Sequence, residues 1–452
     1  MRRGLTIAAC AACLSGLGGA ASASAAQQPI EVKPGNPFYF LIKSIATGGV
    51  DVGQVVNGCR LAPFTNCAGG ELSGQPLVGA TVTNSGLRGL QARRANLSAA
   101  TLAYSGVRGA NLRRAKAPSI VTSFASLARA DLHHAQLSLG ALALTGARGI
   151  DLSRAALFIA DLSGSNLRRA GLRRANLAGA LAAGTDLRGA DLRDADLTVT
   201  DLHRARLGDA SLRGATYCNT IMPDGHVRHK RKRCPTPKVG PRKGEPLEIP
   251  PELPVYTLLK SYGRPPTPPG TRINGCVIEP SASCPDARLD GSHIRGAFLS
   301  YGHLPRADLR SAKLVFANLA FASLRGADLR GADLAGASGV RTRLEGANLG
   351  AVQMPFANLV GAKLDGADLT AVDAEQANLS GVDFTGANLR EANLTSAALS
   401  GVELTGAELS GANLSNAVLS GATLGEPFPR GAVLCNTVMP DGSIANPQSS
   451  CP

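Results

Sequence analysis

The side chains best suited to chemistry in this sequence are arginines. Arg93-Arg94, Arg113-Arg114 and Arg173-Arg174 are adjacent pairs separated by multiples of twenty residues, and Arg168-Arg169 continues a second series through Arg88, Arg108 and Arg148. A guanidinium presents five N–H donors in a rigid fork that matches phosphate or carboxylate, so the chemistry on offer is anion binding. His226, His229 and Cys234 carry the donor atoms of a zinc site. They sit, however, in the basic run from His226 to Arg233, where a solvated loop is the simpler reading, and Cys234 has a better use in a disulfide. His133 and His134 extend the arginine series. The chain holds no G-x-S-x-G, phosphate-binding G-x-x-x-x-G-K, H-E-x-x-H or paired C-x-x-C. The sequence therefore predicts no catalytic residue, metal or cofactor.

What positions these groups is a five-residue repeat. Every fifth residue from Leu167 to Leu212 is leucine, except Ala182. Two residues before most of these leucines stands a small side chain such as Ala170, Ala175 or Ala190, and just before many stands Asn or Asp, as at Asn176, Asp186, Asp191 and Asp201. Those acids recur with the repeat and read as structural. Residue propensity alone favours a helix. Five residues, however, carry the leucine about 140° round a helix, so no apolar stripe forms. The period also fails the two-residue alternation of a strand. A solenoid remains, each repeat adding one inward corner to a stacked coil. Thirty centres run from Leu72 to Tyr217 and thirty from Leu289 to Leu434 without a slip. With no Trp and 4% aromatic residues, a narrow core of stacked Leu and Ala suits the composition.

The outward residues show how many sides the coil has. In the first run, sixteen of the seventeen arginines in the two positions after a centre fall on two adjacent sides of four. One side carries Arg88, Arg108, Arg148, Arg168 and Arg169; the next carries Arg93, Arg94, Arg113, Arg114, Arg173 and Arg174. The two remaining sides are small or apolar, with Tyr104, Phe124, Leu139, Leu144, Phe158 and Ile159. In the second run Tyr301, Phe316, Phe321 and Phe356 take the apolar sides. Exposed apolar patches mark interfaces, so Tyr104, Phe124, Phe158, Tyr301, Phe316 and Phe321 are candidate contact residues between the two runs or between chains.

The two runs are copies. Arg2 and Arg3, an apolar stretch to Ala20 and the small residues of 21–26 form a secretory signal pattern over residues 1–26. Ile7-Ala8-Ala9-Cys10 has lipobox character, which leaves lipidation of Cys10 as the alternative to removal. Nothing later approaches the ~18 apolar residues of a membrane span. Eight cysteines follow, an even number suited to an oxidising compartment. Cys276, Cys284, Cys435 and Cys451 each lie 217 residues beyond Cys59, Cys67, Cys218 and Cys234. The predicted organisation is a lead-in and cap at 27–71, a solenoid at 72–217, a cap at 218–234, a proline-rich linker at 235–254, a second lead-in and cap at 255–288, a second solenoid at 289–434 and a final cap at 435–452. Residues 27–234 carry 27 Lys and Arg against 13 Asp and Glu, and residues 235–452 carry 18 against 20. The sequence thus predicts a dipole along the length of the molecule.

Repeats such as Ala175-Asn176-Leu177, Ala190-Asp191-Leu192 and Ala327-Asp328-Leu329 resemble the pentapeptide-repeat family, over about 290 residues of this chain. The resemblance implies an all-β fold of two right-handed quadrilateral β-helix solenoids in tandem, with the central leucine and the preceding small residue inward. It implies no activity. Some members of the family are acidic cytosolic dimers that mimic duplex DNA and bind gyrase. The basic first half and the secretory signal oppose that reading here, so nucleic acid is not the expected partner. The leading reading is an extracytoplasmic scaffold that engages anionic polymers or surfaces through Arg93, Arg94, Arg113, Arg114, Arg168, Arg169, Arg173 and Arg174. The alternative is a structural or interaction rod that self-associates through its apolar sides.

A disulfide pattern follows from the coil length. Thirty pentapeptides make about 7.5 coils, roughly 36 Å at the ~4.8 Å strand spacing. Cysteines at opposite ends cannot meet the roughly 7 Å Cα limit. The expected pairs are therefore local: Cys59–Cys67, Cys218–Cys234, Cys276–Cys284 and Cys435–Cys451.

Overall fold

The computed structural model describes residues 5–6, 30–32, 50–229, 247–249, 266–425 and 431–446. Cys234, Cys451, most of the expected signal segment and most of the expected linker lie outside the described residues. Among the described residues every regular element is a strand or a bridge. Parallel bridges join each residue to the one twenty positions later, from Asn66–Gly86 to Asp201–Ile221 and again from Ser283–His303 to Val418–Val438. Twenty residues per coil are four pentapeptides, so the coil is a quadrilateral β-helix. Each bridge series begins one pentapeptide before the predicted solenoid, which draws Cys67 and Cys284 into the stacks.

Backbone hydrogen bonding explains the repeat. In the pentapeptide centred on Ala92, the Ala92 N–H donates to Asn111, the Arg94 N–H to Arg113 and the Asn96 N–H to Gln75, all carbonyls of neighbouring coils. The Ala95 N–H donates to the Ala92 carbonyl and closes a β-turn. Only the N–H of the first turn residue is left without a backbone acceptor, and a buried or half-buried donor needs one. At Arg93 the acceptor is Ser73 Oγ of the neighbouring coil at 3.2 Å; where Asp or Asn precedes the centre, its side chain supplies the acceptor. Asp131 Oδ1 accepts from the His133 N–H at 3.0 Å, Asp151 from Ser153 at 2.8 Å and Asn176 from Ala178 at 3.0 Å. These carboxylates and amides are turn caps.

The second turn residue has positive φ in nearly every described turn, as at Arg94 (57°), Phe124 (60°) and Gly164 (66°), with Gly208 rather than Asp209 taking it after Leu207. That is the type II turn, for which glycine is the cheapest occupant. The sequence reading did not anticipate that so many larger side chains would stand there. Inside, Leu and Ala interlock in one narrow column per stack; Leu152, Leu157 and Leu172 are each fully buried.

Short antiparallel hairpins close the stacks: Val55–Val56 with Cys59–Arg60, Thr220–Ile221 with Val227–Arg228, Thr271–Ile273 with Cys276–Ile278, and Thr437–Val438 with Ile444–Ala445. The Cys59–Cys67 and Cys276–Cys284 disulfides pin the leading ends, each with 5.5 Å between Cα atoms. Cys218 and Cys435 are also disulfide-bonded. Leu247–Ile249, inside the expected linker, is a strand that pairs antiparallel with Ile30–Val32. Ile30 and Leu247 are themselves 217 residues apart, so the duplication reaches back into the lead-in.

The two stacks lie against each other in antiparallel sense. Thr83, early in the first, hydrogen-bonds Ser420, late in the second, at 2.6 Å. Asp201, late in the first, accepts from Ser300 at 3.0 Å and from Asn318 at 2.6 Å, both early in the second. One face of the second stack is covered along its length: Phe298, Asn318, Ser338, Asn358, Asn378, Ala398 and Val418 are each 8% exposed or less. This arrangement replaces the lengthwise dipole predicted from sequence. The acidic end of the second stack folds back beside the basic beginning of the first, so charge separates across the molecule.

Aromatic rings and glycines interlock at the seam. Tyr104 and Phe124 stack at 4.8 Å between centroids and stand over Gly381; Tyr104 also stands over Gly401. Tyr301 and Phe321 stack at 4.7 Å and stand over Gly184; Phe321 also covers Gly164. Phe321 is the duplicate of Tyr104, and Gly381 and Gly401 are the duplicates of Gly164 and Gly184. Equivalent surfaces therefore meet about a pseudo-twofold axis, as in an isologous dimer interface, here within one chain.

Candidate functional site

Following the chain round one coil shows what the seam leaves free. Arg88 and Gly89 form a corner, Gln91 is the middle of a face, and Arg93 and Arg94 form the next corner. Ser98 and Ala99 form the third corner, Thr101 lies mid-face, and Ala103 and Tyr104 form the fourth. The two apolar corners bracket the seam face, whose midline includes Thr101, Asp161 and Asp201. The two arginine corners bracket the opposite face, whose midline is Glu71, Gln91, Asn111, Asp131, Asp151, Gly171, Asp191 and Ser211. This outer face points away from the second stack, and Arg88, Arg93, Arg94, Arg108, Arg114 and Arg129 are exposed on its corners.

The eight arginines singled out from sequence all lie on these two corners, but they differ in pairing. Arg113 is 3.1 Å from Asp131, and Arg173 and Arg174 lie 3.6 and 3.7 Å from Asp194. Arg188 and Arg193 fork onto Asp186 and Asp191 at 2.5 and 2.6 Å. The pairing holds the Asp186 and Asp191 carboxyls below their usual range, chiefly through the hydrogen bond each accepts from its arginine. Among the described residues, Arg93, Arg94, Arg114, Arg168 and Arg169 have no ion pair within 4 Å. Midway, His133 and His134 meet edge to face at 4.4 Å. Burial, then the charges of His133 and the surrounding arginines, lowers the His134 pKa.

The candidate contact residues sit on the other two corners. Tyr104, Phe124, Tyr301 and Phe321 lie in the seam, and burial pushes the Tyr104 phenol up to about 12. Phe158 is 4% exposed and packs with Ala178 and Ile159, and Phe316 is half-buried. His226 and His229 belong to the closing hairpin of the first stack, with His229 stacked on Tyr217.

Sequence reasoning missed the polar part of the seam. Asp161 is fully buried; its Oδ2 accepts from Ser338 at 2.6 Å and Asn358 at 2.7 Å, both across the seam. Asp201 makes the equivalent bonds described above. Desolvation raises both carboxyls, that of Asp201 to about 6. Next to it, His203 Nε2 is 2.9 Å from Ser281 Oγ, and burial lowers its pKa. The available signal was that Asp161 and Asp201 stand mid-face on the apolar side, where neighbouring coils carry Thr81, Thr101 and Val121.

A family profile described as pentapeptide repeats matches the chain at 150–181, 172–214, 287–320, 317–354, 352–386 and 387–425. Among solved structures, the chain is similar to HetL, a pentapeptide repeat protein involved in heterocyst differentiation regulation in the cyanobacterium Nostoc. Identity is 22% over 79% of this chain and 93% of that one, with a TM-score of 0.25. A pentapeptide repeat protein of the Arabidopsis thaliana thylakoid lumen is 35% identical over 23% of this chain and 71% of that one, with a TM-score of 0.22. The plasmid-mediated fluoroquinolone resistance protein QnrB1 is 21% identical over 34% and 81%, with a TM-score of 0.24. No curated protein matches the chain.

Proposed function

The chain belongs to the pentapeptide-repeat family, and from that premise we propose that it is a non-enzymatic scaffold whose arginine-lined face engages an extended polyanion outside the cytoplasm. Its two right-handed solenoids, in tandem along the sequence, serve as one body. The observation that carries the reading is the confinement of the arginines to the two corners that bracket the face opposite the seam. Solubility alone does not require such confinement. Like charges one coil apart, ~4.8 Å, lie well inside the ~8 Å Debye length and repel unless a ligand neutralises them. The disulfides support an oxidising compartment, and among the described residues no helix is long and apolar enough to cross a membrane. The rod reading is weakened because the aromatic corners are engaged within the chain.

The test is retention of the purified chain on an immobilised anionic polymer as salt is raised. Binding should fall steeply with salt, as counterion release demands. Replacing Arg113, Arg114, Arg173 and Arg174 by Glu should abolish most of it without unfolding the coil. Retention that ignores salt between roughly 50 and 500 mM overturns the proposal.

A further inference from the structure

The charge on the outer face is unevenly spread along its length. Between Glu71 and Asp131 the chain carries eight Lys and Arg and no Asp or Glu. These are the first three coils. From Asp131 onward acids return, and the arginines of the later coils are met by Asp186, Asp191 and Asp194. In the early coils the face midline is Gln91 and Asn111, and the Asn111 amide donates to Gln91 at 3.1 Å. Neutral hydrogen-bonding groups thus line a strip between Arg88 and Arg108 on one edge and Arg93, Arg94 and Arg114 on the other.

Backbone conformation adds a second observation. Arg94 and Arg114 occupy the positive-φ turn position, at 57° and 56°. A larger side chain there costs of order 1 kcal/mol relative to glycine. At the equivalent corners the second stack has Ser311 and Gly331. Ser311 holds the same conformation at 55°, so the turn accepts a larger side chain, and at Arg94 and Arg114 it directs a guanidinium outward at the edge of the face.

The face also has the wrong composition for reading bases. Its midline and two corners carry no Phe, Tyr or Trp from Glu71 to Gly214, whereas single-stranded nucleic acid is held by stacking on aromatic rings. A duplex is bound through its phosphates, but its two strands wind about an axis, whereas the arginine corners repeat in register from one coil to the next. A ladder of guanidinium groups repeating once per coil suits a linear chain with an oxyanion on each saturated sugar or polyol unit. Guanidinium forks grip carboxylate and phosphodiester alike.

We propose that the ligand of the outer face is a linear polyuronate or polyol phosphate, held by the first three coils of the first stack through Arg88, Arg93, Arg94, Arg108 and Arg114. Of the later arginines, Arg173, Arg174, Arg188 and Arg193 are occupied by aspartates and add little. This rests on the polyanion reading above and specifies its ligand and register.

The experiment uses the full chain and two variants of equal charge change. One carries Arg93→Glu, Arg94→Glu, Arg108→Glu and Arg114→Glu; the other carries Arg173→Glu, Arg174→Glu, Arg188→Glu and Arg193→Glu. Affinity is measured for polygalacturonate, poly(glycerol phosphate), oligo(dT) and a DNA duplex at fixed ionic strength, with thermal unfolding as the check on folding. The expected result is tightest binding to one of the first two polymers, a loss of at least tenfold in the early variant and less than threefold in the late one. Whichever of those two binds more tightly identifies the oxyanion. Equal losses in both variants overturn the register while leaving polyanion binding intact. Tightest binding to either nucleic acid overturns the ligand class. Failure to bind any of the four overturns the proposed function itself. If the early variant unfolds, Arg93→Gln with Arg94→Gln is used against Arg173→Gln with Arg174→Gln, and the same ordering is required.

Discussion

The two stacks share a backbone plan and differ in what their corners carry. Both run on twenty-residue coils, both lead with an eight-residue disulfide loop, and both use the same face at the seam. In the first, Arg94, Arg114, Arg129, Arg154, Arg169 and Arg174 take positive-φ corner positions. In the second, the corresponding positions hold Gly331, Gly346 and Gly386, with Ser311, Ala371 and Glu391 at the other three. The second stack also neutralises its arginines locally: Arg306 forks onto Asp286, Arg310 onto Asp308 and Arg330 onto Asp328. A solenoid whose core and ladder are set by inward residues and turn caps leaves its corners free to differ, so one copy carries arginines where the other carries glycine, Ser311, Ala371 or Glu391.

The strongest challenge to this comparison lies at the seam. Gly381 and Gly366 have nearly the same φ, 66° and 63°, but a Cβ at Gly381 would sit 2.7 Å from the Tyr104 hydroxyl and one at Gly366 would meet nothing within 4 Å. Gly381→Ala should cost about 3 kcal/mol, combining left-handed strain with overpacking, and Gly366→Ala about 1 kcal/mol. Equal costs in denaturant unfolding would mean that the stacks do not bear on each other.

Asp201 offers the next effect, because its duplicate is Val418. Its carboxyl is raised from 3.8 to about 6 in the fold, so the folded state binds the proton more tightly than the unfolded one. Its contribution is fully present below 3.8 and is lost as pH rises through 6. The loss is about 3 kcal/mol, an order-of-magnitude figure. His203 acts in the opposite direction: with its pKa lowered by burial, its contribution is present above 6.5 and is lost as pH falls. Asp201→Asn should therefore raise the unfolding temperature at pH 8 and remove the acid-side gain. An unchanged profile would show that the buried carboxylate carries no such penalty.

The disulfides should behave alike in both copies. Replacing Cys59 and Cys67 by Ser, or Cys276 and Cys284 by Ser, should cost about 2 kcal/mol each by loop entropy. A large difference between the two double variants would break the equivalence of the stack ends. The smallest expected effect on stability comes from transferring charge. Ala351 and Ala371 already hold positive φ, at 54° each, so Ala351→Arg with Ala371→Arg should change stability by less than about 0.5 kcal/mol. Elution from an anionic polymer should nevertheless move to higher salt. No shift would show that the first stack offers more than corner charge.

Much of this was legible because the repeat is local. Leucine at every fifth residue, alanine two before it and Asp or Asn one before it determine the coil through contacts five or twenty residues apart. The arginine corners were visible for the same reason. The caps were visible as a pattern, and the structure adds the reason: the Asp131 and Asp151 carboxylates accept the one N–H that the ladder leaves over. The positive φ beneath Arg94 and Arg114 was not legible, since those residues rarely signal a type II turn.

Other features depended on the tertiary structure. The apolar corners suited docking between copies or between chains equally well. Thr83 meets Ser420, and Asp161 meets Ser338 and Asn358, across separations for which no spacing rule exists. The antiparallel sense of that docking is what turns a predicted lengthwise dipole into a charge separation across the molecule. It also buries Asp161 and Asp201 and leaves the arginine face outward. Local hydrogen bonding and side-chain volume suffice to wind each coil, whereas the choice of which face meets which depends on surfaces that exist only after both coils have formed.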